Sequence, residues 1–356
     1  MQDVVNNTSR IEYIDALRGF TMVLVVLHHV SLMAFGIVDS SIEKYSYEVR
    51  MPLFFFISGF LMYKPSTSWD LKNSFMFIKK KFITLMVSPM LFFLIFVYEN
   101  KRSLIESLSS PAKAGYWFTF MLFTYFLIYI VSQVAFDRLR LSSKHRDCAL
   151  LCVGLLVFLL AYVVSFMFLE RNVLWMGIIG GGNLKYFIFL ALGTLAQKHK
   201  DSFEELLDST PVVLTSFASF FLMNIFYIPI NGLGGAFRLL FILLSACTGI
   251  IVVWSFFRKY KKSFSSNQPI LRYLPIIGRR TLDIYLLHYF FIPSQLGGAF
   301  PIFSNYSLPL LEFVCSLSIA FLIIAVCLGV SSVLRLSPTL GWFLFGAKKT
   351  KKRICS

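Results

Sequence analysis

The sequence predicts an all-α, polytopic membrane bundle of about ten transmembrane helices, with both termini in the cytoplasm. Hydrophobic residues make up 57% of the 356 residues and charged residues only 15%, a composition typical of chains that cross a bilayer repeatedly. Apolar runs recur along the whole chain, which we interpret as one integral membrane domain, 1–356. The predicted spans are residues 14–37, 49–63, 82–98, 116–136, 148–169, 184–196, 211–228, 235–257, 274–293 and 308–333.

The distribution of basic residues predicts the orientation. Counted from the first span, alternate loops are rich in lysine and arginine, whereas the loop 294–307 contains neither. Because basic loops remain on the cytoplasmic side, this alternation predicts that both termini lie in the cytoplasm. The expected location of the protein is the inner (cytoplasmic) membrane of the cell. These loops and the basic tail account for the formal net charge of +16, so no nucleic-acid partner is expected.

The first predicted span, residues 14–37, carries ionisable groups at membrane depth. Such groups are costly in lipid and usually face a bundle interior or a water-filled cavity. Arg18 and His29 are eleven positions apart, about three helical turns and roughly 16 Å along one face. Asp15 lies on that face, and His28 points roughly 100° away. A neutral imidazole can take a proton from a hydroxyl; the alternatives are a structural hydrogen bond for His29 and an interfacial ion pair for Asp15 with Arg18.

Later segments add further candidates. His288 lies about 20 Å above the start of its span, a height similar to that of His29, so the two imidazoles could line one cavity. Arg280 and Asp283, three positions apart, are expected to pair. Ser58 precedes a glycine in a phenylalanine-rich helix, where a packing notch is the simpler interpretation. The lysine run 79–81 could bind phosphates or anchor the chain to anionic lipid.

Six segments, in this order, resemble the motifs of membrane-bound acyltransferase family 3. They are IDALRGFTMVLVVLHH, MPLFFFISGFLMY, FIKKKFITLMVSP, YWFTFMLFTYFLIY, YFIFLALG and IIGRRTLDIYLLH. The resemblance covers nearly the whole chain. Members of this family move acyl groups, commonly acetyl from acetyl-CoA, onto cell-surface sugars.

The resemblance implies roles for particular residues. The implied catalytic residues are His29, Arg18 and Asp15. The implied acyl-CoA-binding residues are Lys79, Lys80 and Lys81, together with Arg18. The implied substrate-binding residues are His288, Arg50, Ser58 and Trp117. The expected partners are acyl-CoA as acyl donor, a carbohydrate acceptor and the lipid bilayer, and no metal is expected.

The sequence departs from the family pattern at two places. Many members have an Arg-x-x-Arg pair before the third helix, where this chain has Lys81 and Thr84. Many also have His-Met-Pro where this chain reads Arg50-Met51-Pro52. The alternative function is a non-catalytic transporter or exporter of a small metabolite or glycan intermediate, with the same buried polar groups along its path. Consumption of acetyl-CoA by the purified protein distinguishes the two.

Overall fold

The structure, a computed structural model, describes residues 11–36, 44–65, 67–167, 180–225, 235–264, 271–293 and 309–346. Within these ranges the regular structure is entirely helical, which confirms the predicted all-α class. The helices are α1 (Glu12–Ala34), α2 (Lys44–Met62), α3 (Leu71–Phe82), α4 (Ser88–Glu99), α5 (Leu104–Ser109), α6 (Trp117–Arg138), α7 (Ser143–Met167), α8 (Phe187–Lys198), α9 (Lys200–Asp208), α10 (Thr210–Ile225), α11 (Gly235–Lys259), α12 (Tyr273–Arg279), α13 (Thr281–Leu287), α14 (Pro309–Leu334) and α15 (Pro338–Phe345). Short helical turns cover 113–115, 181–186, 261–264 and 288–290.

Six of the helices in the described part of the chain are long and apolar enough to cross a membrane: α1, the continuous α3–α4, α6, α7, α11 and α14. The pair α9–α10, bent by 75°, raises this number to seven if it forms one span. The chain is therefore a multi-pass membrane protein. Three predicted spans, 49–63, 184–196 and 274–293, coincide with the shorter or interrupted helices α2, α8 and α12–α13. Ten spans and cytoplasmic termini remain predictions.

The lysine run before the third span lies on a helix rather than in a loop. Asp70 caps the start of α3, where its carboxylate accepts a hydrogen bond from the Asn73 amide at 2.7 Å. A π-helical turn, Ile83–Val87, then joins α3 to α4 without a break. Pro89 has no N–H group for the helical ladder, and such an interruption favours a local widening of the helix. The helix therefore starts eleven residues before the predicted span, which began at residue 82.

Helix α1 occupies the centre of the bundle. Buried residues make up 61% of its membrane-spanning window, against 22% in α7 and 28% in α14. The outward faces of α7 and α14 carry exposed leucines, as expected for helices that face lipid. Helix α1 packs most extensively against α12, and also against α14 and α2. Its polar residues are therefore surrounded by protein.

Two close helix crossings depend on glycine. A Cβ atom on Gly19 would lie 2.0 Å from the Leu274 carbonyl oxygen, and one on Gly278 would meet the Asp15 carbonyl. The crossing of α2 with α8 has the same form. A Cβ on Gly59 would lie 2.0 Å from a backbone carbonyl oxygen of α8, and one on Gly193 as close to a carbonyl of α2. Only glycine allows backbones to approach this closely, so the packing interpretation of the segment around Gly59 is confirmed.

Candidate active site

A cavity of about 1140 Å³ runs beside α1. Its walls come from α1, α2, α3–α4, α6 and α13, with the turns around residues 111–115, 183–186 and 289. Ordinary small-molecule pockets enclose roughly 300–1,000 Å³, so this cavity suits an extended ligand. We call one end the lysine end; it carries Arg18, Lys64, Lys80 and Lys81. We call the other the histidine end; it carries His28, His29, Arg50, Arg102 and Tyr289.

At the lysine end, Arg18 is held from two sides. Its Nη2 donates a hydrogen bond to Thr281 Oγ1 at 2.8 Å, and its Nη1 lies 3.8 Å from Asp15 Oδ1. Asp15 is only 5% exposed and does not line the cavity. The carboxylate therefore lies behind the guanidinium, where it stabilises the charge and restricts its orientation.

The lysines complete a cluster of positive charge. Lys81 Nζ lies 4.9 Å from the centre of the Phe126 ring, a cation–π distance. It is also within electrostatic range of Lys64, Lys80 and Arg18. Lys79 is exposed and outside the cavity lining. No aspartate or glutamate occurs among the described residues that line the cavity, so this end is suited to an anionic group such as a phosphate.

At the histidine end, two imidazoles are in direct contact. His29 Nδ1 lies 3.0 Å from His288 Nε2, and His288 Nδ1 lies 3.0 Å from the Ile284 carbonyl oxygen. A carbonyl can only accept, so we assign the His288 proton to Nδ1. His288 Nε2 then accepts from the N–H at His29 Nδ1. The lone pair of His29 is consequently on Nε2, the nitrogen that a base needs free.

Tyr289 lies beside that lone pair. Its hydroxyl is 3.1 Å from His29 Nε2 and 3.2 Å from the Gly115 carbonyl oxygen. Tyr285 also donates to this carbonyl, at 3.0 Å. The turn that presents it is unusual, since Lys113, Ala114 and Gly115 all have positive φ (43°, 49° and 99°). Strained backbone of this kind persists only where its surroundings hold it; here two tyrosine hydroxyls fix the carbonyl beside His29.

The predicted substrate-binding residues occupy different positions. Arg50 and Trp117 line the cavity; Arg50 packs 4.9 Å from the Tyr47 ring, and Trp117 stacks on Tyr186 at 5.9 Å. Ser58 also lines it, although its hydroxyl donates to the Phe54 carbonyl within its own helix at 2.8 Å. His288 is fully buried and does not line the cavity, so it can act on a ligand only through His29. His28, half-buried, does line it, despite its rotation from His29.

Sequence reasoning missed several residues of the cavity. The position of Tyr289 directly after His288 could have indicated its role, because a tyrosine hydroxyl can donate a hydrogen bond to histidine or accept one from it. Thr281 belonged to the closing motif but received no role. Arg102 and Gly115 come from turns, where no periodic pattern indicates which side chain or carbonyl faces inward.

A second buried charge network holds α13 to α14. Asp283 is 1% exposed and accepts two hydrogen bonds from Arg335, at 2.8 and 2.7 Å. Ser331 also donates to it. The expected pairing of Arg280 with Asp283 is present at 3.3 Å, but Arg335 provides the closer, bidentate contact. None of these four residues lines the cavity, and the network fixes the segment that carries His288.

Comparisons with known proteins give one match. A family model described as "Acyltransferase domain", that of acyltransferase family 3, matches residues 11–330. This range includes all the predicted site residues. No curated protein and no solved structure matches the chain. Among the described residues, no group of three or more histidine, cysteine, aspartate or glutamate side chains is placed to hold a metal ion.

Proposed function

Because the chain belongs to acyltransferase family 3 and is therefore a membrane acyltransferase, we propose that it transfers an acyl group, acetyl from acetyl-CoA, to a hydroxyl of a cell-surface or lipid-linked carbohydrate. One observation carries this proposal: a single cavity joins a cluster of cations at one end to an oriented imidazole with an available lone pair at the other. That arrangement matches a donor with phosphates and an acceptor with a hydroxyl.

The donor enters at the lysine end. The phosphates of acetyl-CoA bind to Lys80, Lys81 and Arg18, and the exposed Lys79 adds to the positive field that attracts them. The pantetheine arm then extends along α1, and about 16 Å separates Arg18 from His29 at 1.5 Å per residue. If the chain has ten spans and cytoplasmic termini, as the basic loops predict, the lysine end faces the cytoplasmic side of the inner membrane. Transfer then takes place toward the outer face.

The acceptor binds at the histidine end. Trp117 and Tyr186 present stacked aromatic rings to the cavity, a flat surface for the apolar face of a sugar ring. His29 Nε2 accepts the proton of one sugar hydroxyl as its oxygen attacks the thioester carbonyl. A C–O bond forms, the C–S bond breaks, and His29 returns the proton to the CoA thiolate. The Tyr289 hydroxyl lies within donating distance of both His29 Nε2 and the Gly115 carbonyl. Its proton turns from Nε2 to the carbonyl when the hydroxyl of the acceptor donates to Nε2.

His288 is a positioning residue in this scheme. It keeps the proton of His29 on Nδ1, so that the basic nitrogen faces the cavity, and it restrains the imidazole ring. Arg18, held by Asp15 and Thr281, binds the donor at the opposite end.

The test is consumption of labelled acetyl-CoA by the purified full-length protein. We expect release of free CoA and labelled acceptor from wild type in the presence of membrane glycan fragments. His29→Ala should lower the rate of transfer about 10²–10⁴-fold, the contribution of general-base assistance, while the variant still inserts into the membrane. An intact thioester in the wild-type reaction would indicate a carrier instead, and normal transfer by His29→Ala would refute the role of the imidazole.

A further inference from the structure

Arg50 places a buried positive charge at the histidine end. It lies in the second turn of α2 and is only 6% exposed. Its side chain lines the cavity in which we propose that the acceptor is acylated. Its charge acts on both His29 and Tyr289. A guanidinium at this depth is costly and is usually associated with function.

A second guanidinium, an imidazole and an aromatic ring lie around Arg50 at this end of the cavity. Arg102 lines the same end of the cavity, 5.5 Å from the Phe96 ring, and His28 lines it from α1. Tyr47 contributes an aromatic face to Arg50. The nearest acidic residue in sequence, Glu48, is half-buried and does not line the cavity. The charges of Glu48 and Arg50 both act on Tyr47 and Tyr186, but of these two charged residues only Arg50 lines the cavity.

The guanidinium groups of Arg50 and Arg102 line this end of the cavity, and no carboxylate occurs among its described lining residues. On the basis of the function proposed above, we propose that Arg50 binds a carboxylate or phosphate of the substrate at the histidine end. The anion belongs either to the acceptor, as an acidic sugar or a phosphate-bearing polyol, or to the far end of the acyl group. The planar guanidinium fork can hold either anion through two parallel hydrogen bonds.

The proposal also accounts for the position of Arg50 near the reacting groups. When His29 accepts a proton, a second positive charge develops close to Arg50, which opposes the step. A bound anion offsets the Arg50 charge at that moment. A substrate with the anion is therefore not only bound more tightly but also reacts faster than its neutral counterpart.

The first experiment measures binding without requiring turnover. Purified full-length protein is titrated with methyl glucoside, methyl glucuronide or glycerol 3-phosphate, and binding is followed by intrinsic tryptophan fluorescence. Wild type should bind an anionic probe about 10- to 100-fold more tightly than the neutral glucoside, as expected for hydrogen bonds to a charged group. Arg50→Gln should abolish this preference, Arg50→Lys should retain part of it, and Glu48→Gln should leave it intact.

The second experiment identifies the source of the anion. The rates of CoA release from acetyl-CoA and succinyl-CoA are compared in wild type and in Arg50→Lys. A preference for succinyl-CoA that falls in Arg50→Lys, with no preference among the sugar probes, assigns the anion to the acyl group. A preference among the sugar probes assigns it to the acceptor.

Two results separate the inference from the function on which it rests. If neither the sugar probes nor the two thioesters show a preference in wild type, or if the preference survives in Arg50→Gln, the anion site is refuted even when acetyl transfer proceeds. If neither thioester is consumed but anionic probes bind preferentially through Arg50, the proposed transfer fails and the anion site stands. The wild-type comparison requires no variant, so a misfolded Arg50→Gln does not prevent the decision.

Discussion

Replacement of His288 by leucine tests the contact on which the site depends. His288 does not line the cavity. Its Nε2 accepts a hydrogen bond from His29 Nδ1, which keeps the His29 proton on Nδ1 and leaves Nε2 unprotonated. Leucine fills a similar volume but offers no acceptor. The Nδ1–H group of His29 then loses its partner, and the imidazole can rotate or move its proton to Nε2.

The expected size of the effect follows from the desolvation of that donor. A buried donor left without its acceptor costs about 1–3 kcal/mol, and about 1.4 kcal/mol corresponds to a tenfold change in rate. His288→Leu should therefore lower kcat about 5- to 150-fold. This range lies mostly below the loss of about 10²–10⁴-fold expected for removal of the base itself. The KM for acetyl-CoA should change little, because the donor phosphates bind at the other end of the cavity.

The assay is the initial rate of CoA thiol release, with a rescue variant and a double variant. The amide oxygen of His288→Gln can accept from His29 Nδ1, so its rate should recover toward wild type. In a background of His29→Ala, the further change His288→Leu should have no additional effect, because both changes act through one imidazole. Equal rates for the leucine and glutamine variants, or a multiplicative loss in the double variant, would refute the positioning role.

Three further results follow from the structure. Lys81→Ala should raise the KM for acetyl-CoA more than Lys79→Ala, since only Lys81 lines the cavity; equal increases would contradict the lysine end as the donor site. Gly278→Ala should lower the melting temperature, because its Cβ would overlap a backbone carbonyl, whereas Gly329→Ala, with open space around it, should be neutral or stabilising. Burial lowers the pKa of Lys113 from its ordinary 10.5 to about 8. Between these values the unfolded chain holds a proton that the folded chain has released, so stability should rise with pH across this window and should not do so in Lys113→Met.

The sequence predicted those parts of the site that depend on local periodicity. Arg18 and His29 share one stripe of α1 because the helical repeat fixes the direction of each side chain, and both line the cavity. The lysine run was assigned to a loop because its charges obscured the apolar pattern of the helix. Only the Asp70 cap and the uninterrupted backbone show that α3 carries these lysines into the cavity wall.

The contacts that give the site its chemistry join distant parts of the chain. His29 and His288 are separated by 259 positions, and no local pattern determines which nitrogen of one ring faces the other. The Gly115 carbonyl is presented by three consecutive residues with positive φ, a geometry that two of them, Lys113 and Ala114, rarely adopt. Such features arise from tertiary packing that overrides local preference.

The glycine crossing explains why the two imidazoles meet. Gly19 lies against Gly278, and Arg18 and His29 contact Thr281 and His288 in the same order along α1 and α12–α13, so these segments run parallel. From each glycine to its histidine there are ten positions. These positions form about 15 Å of continuous helix in α1, whereas the matching stretch of α12–α13 is interrupted at Arg280. The equal number of positions from a shared contact point accords with the direct contact between the two rings. The glycines, interpreted alone as packing residues, therefore also set the register that makes His29 a candidate base.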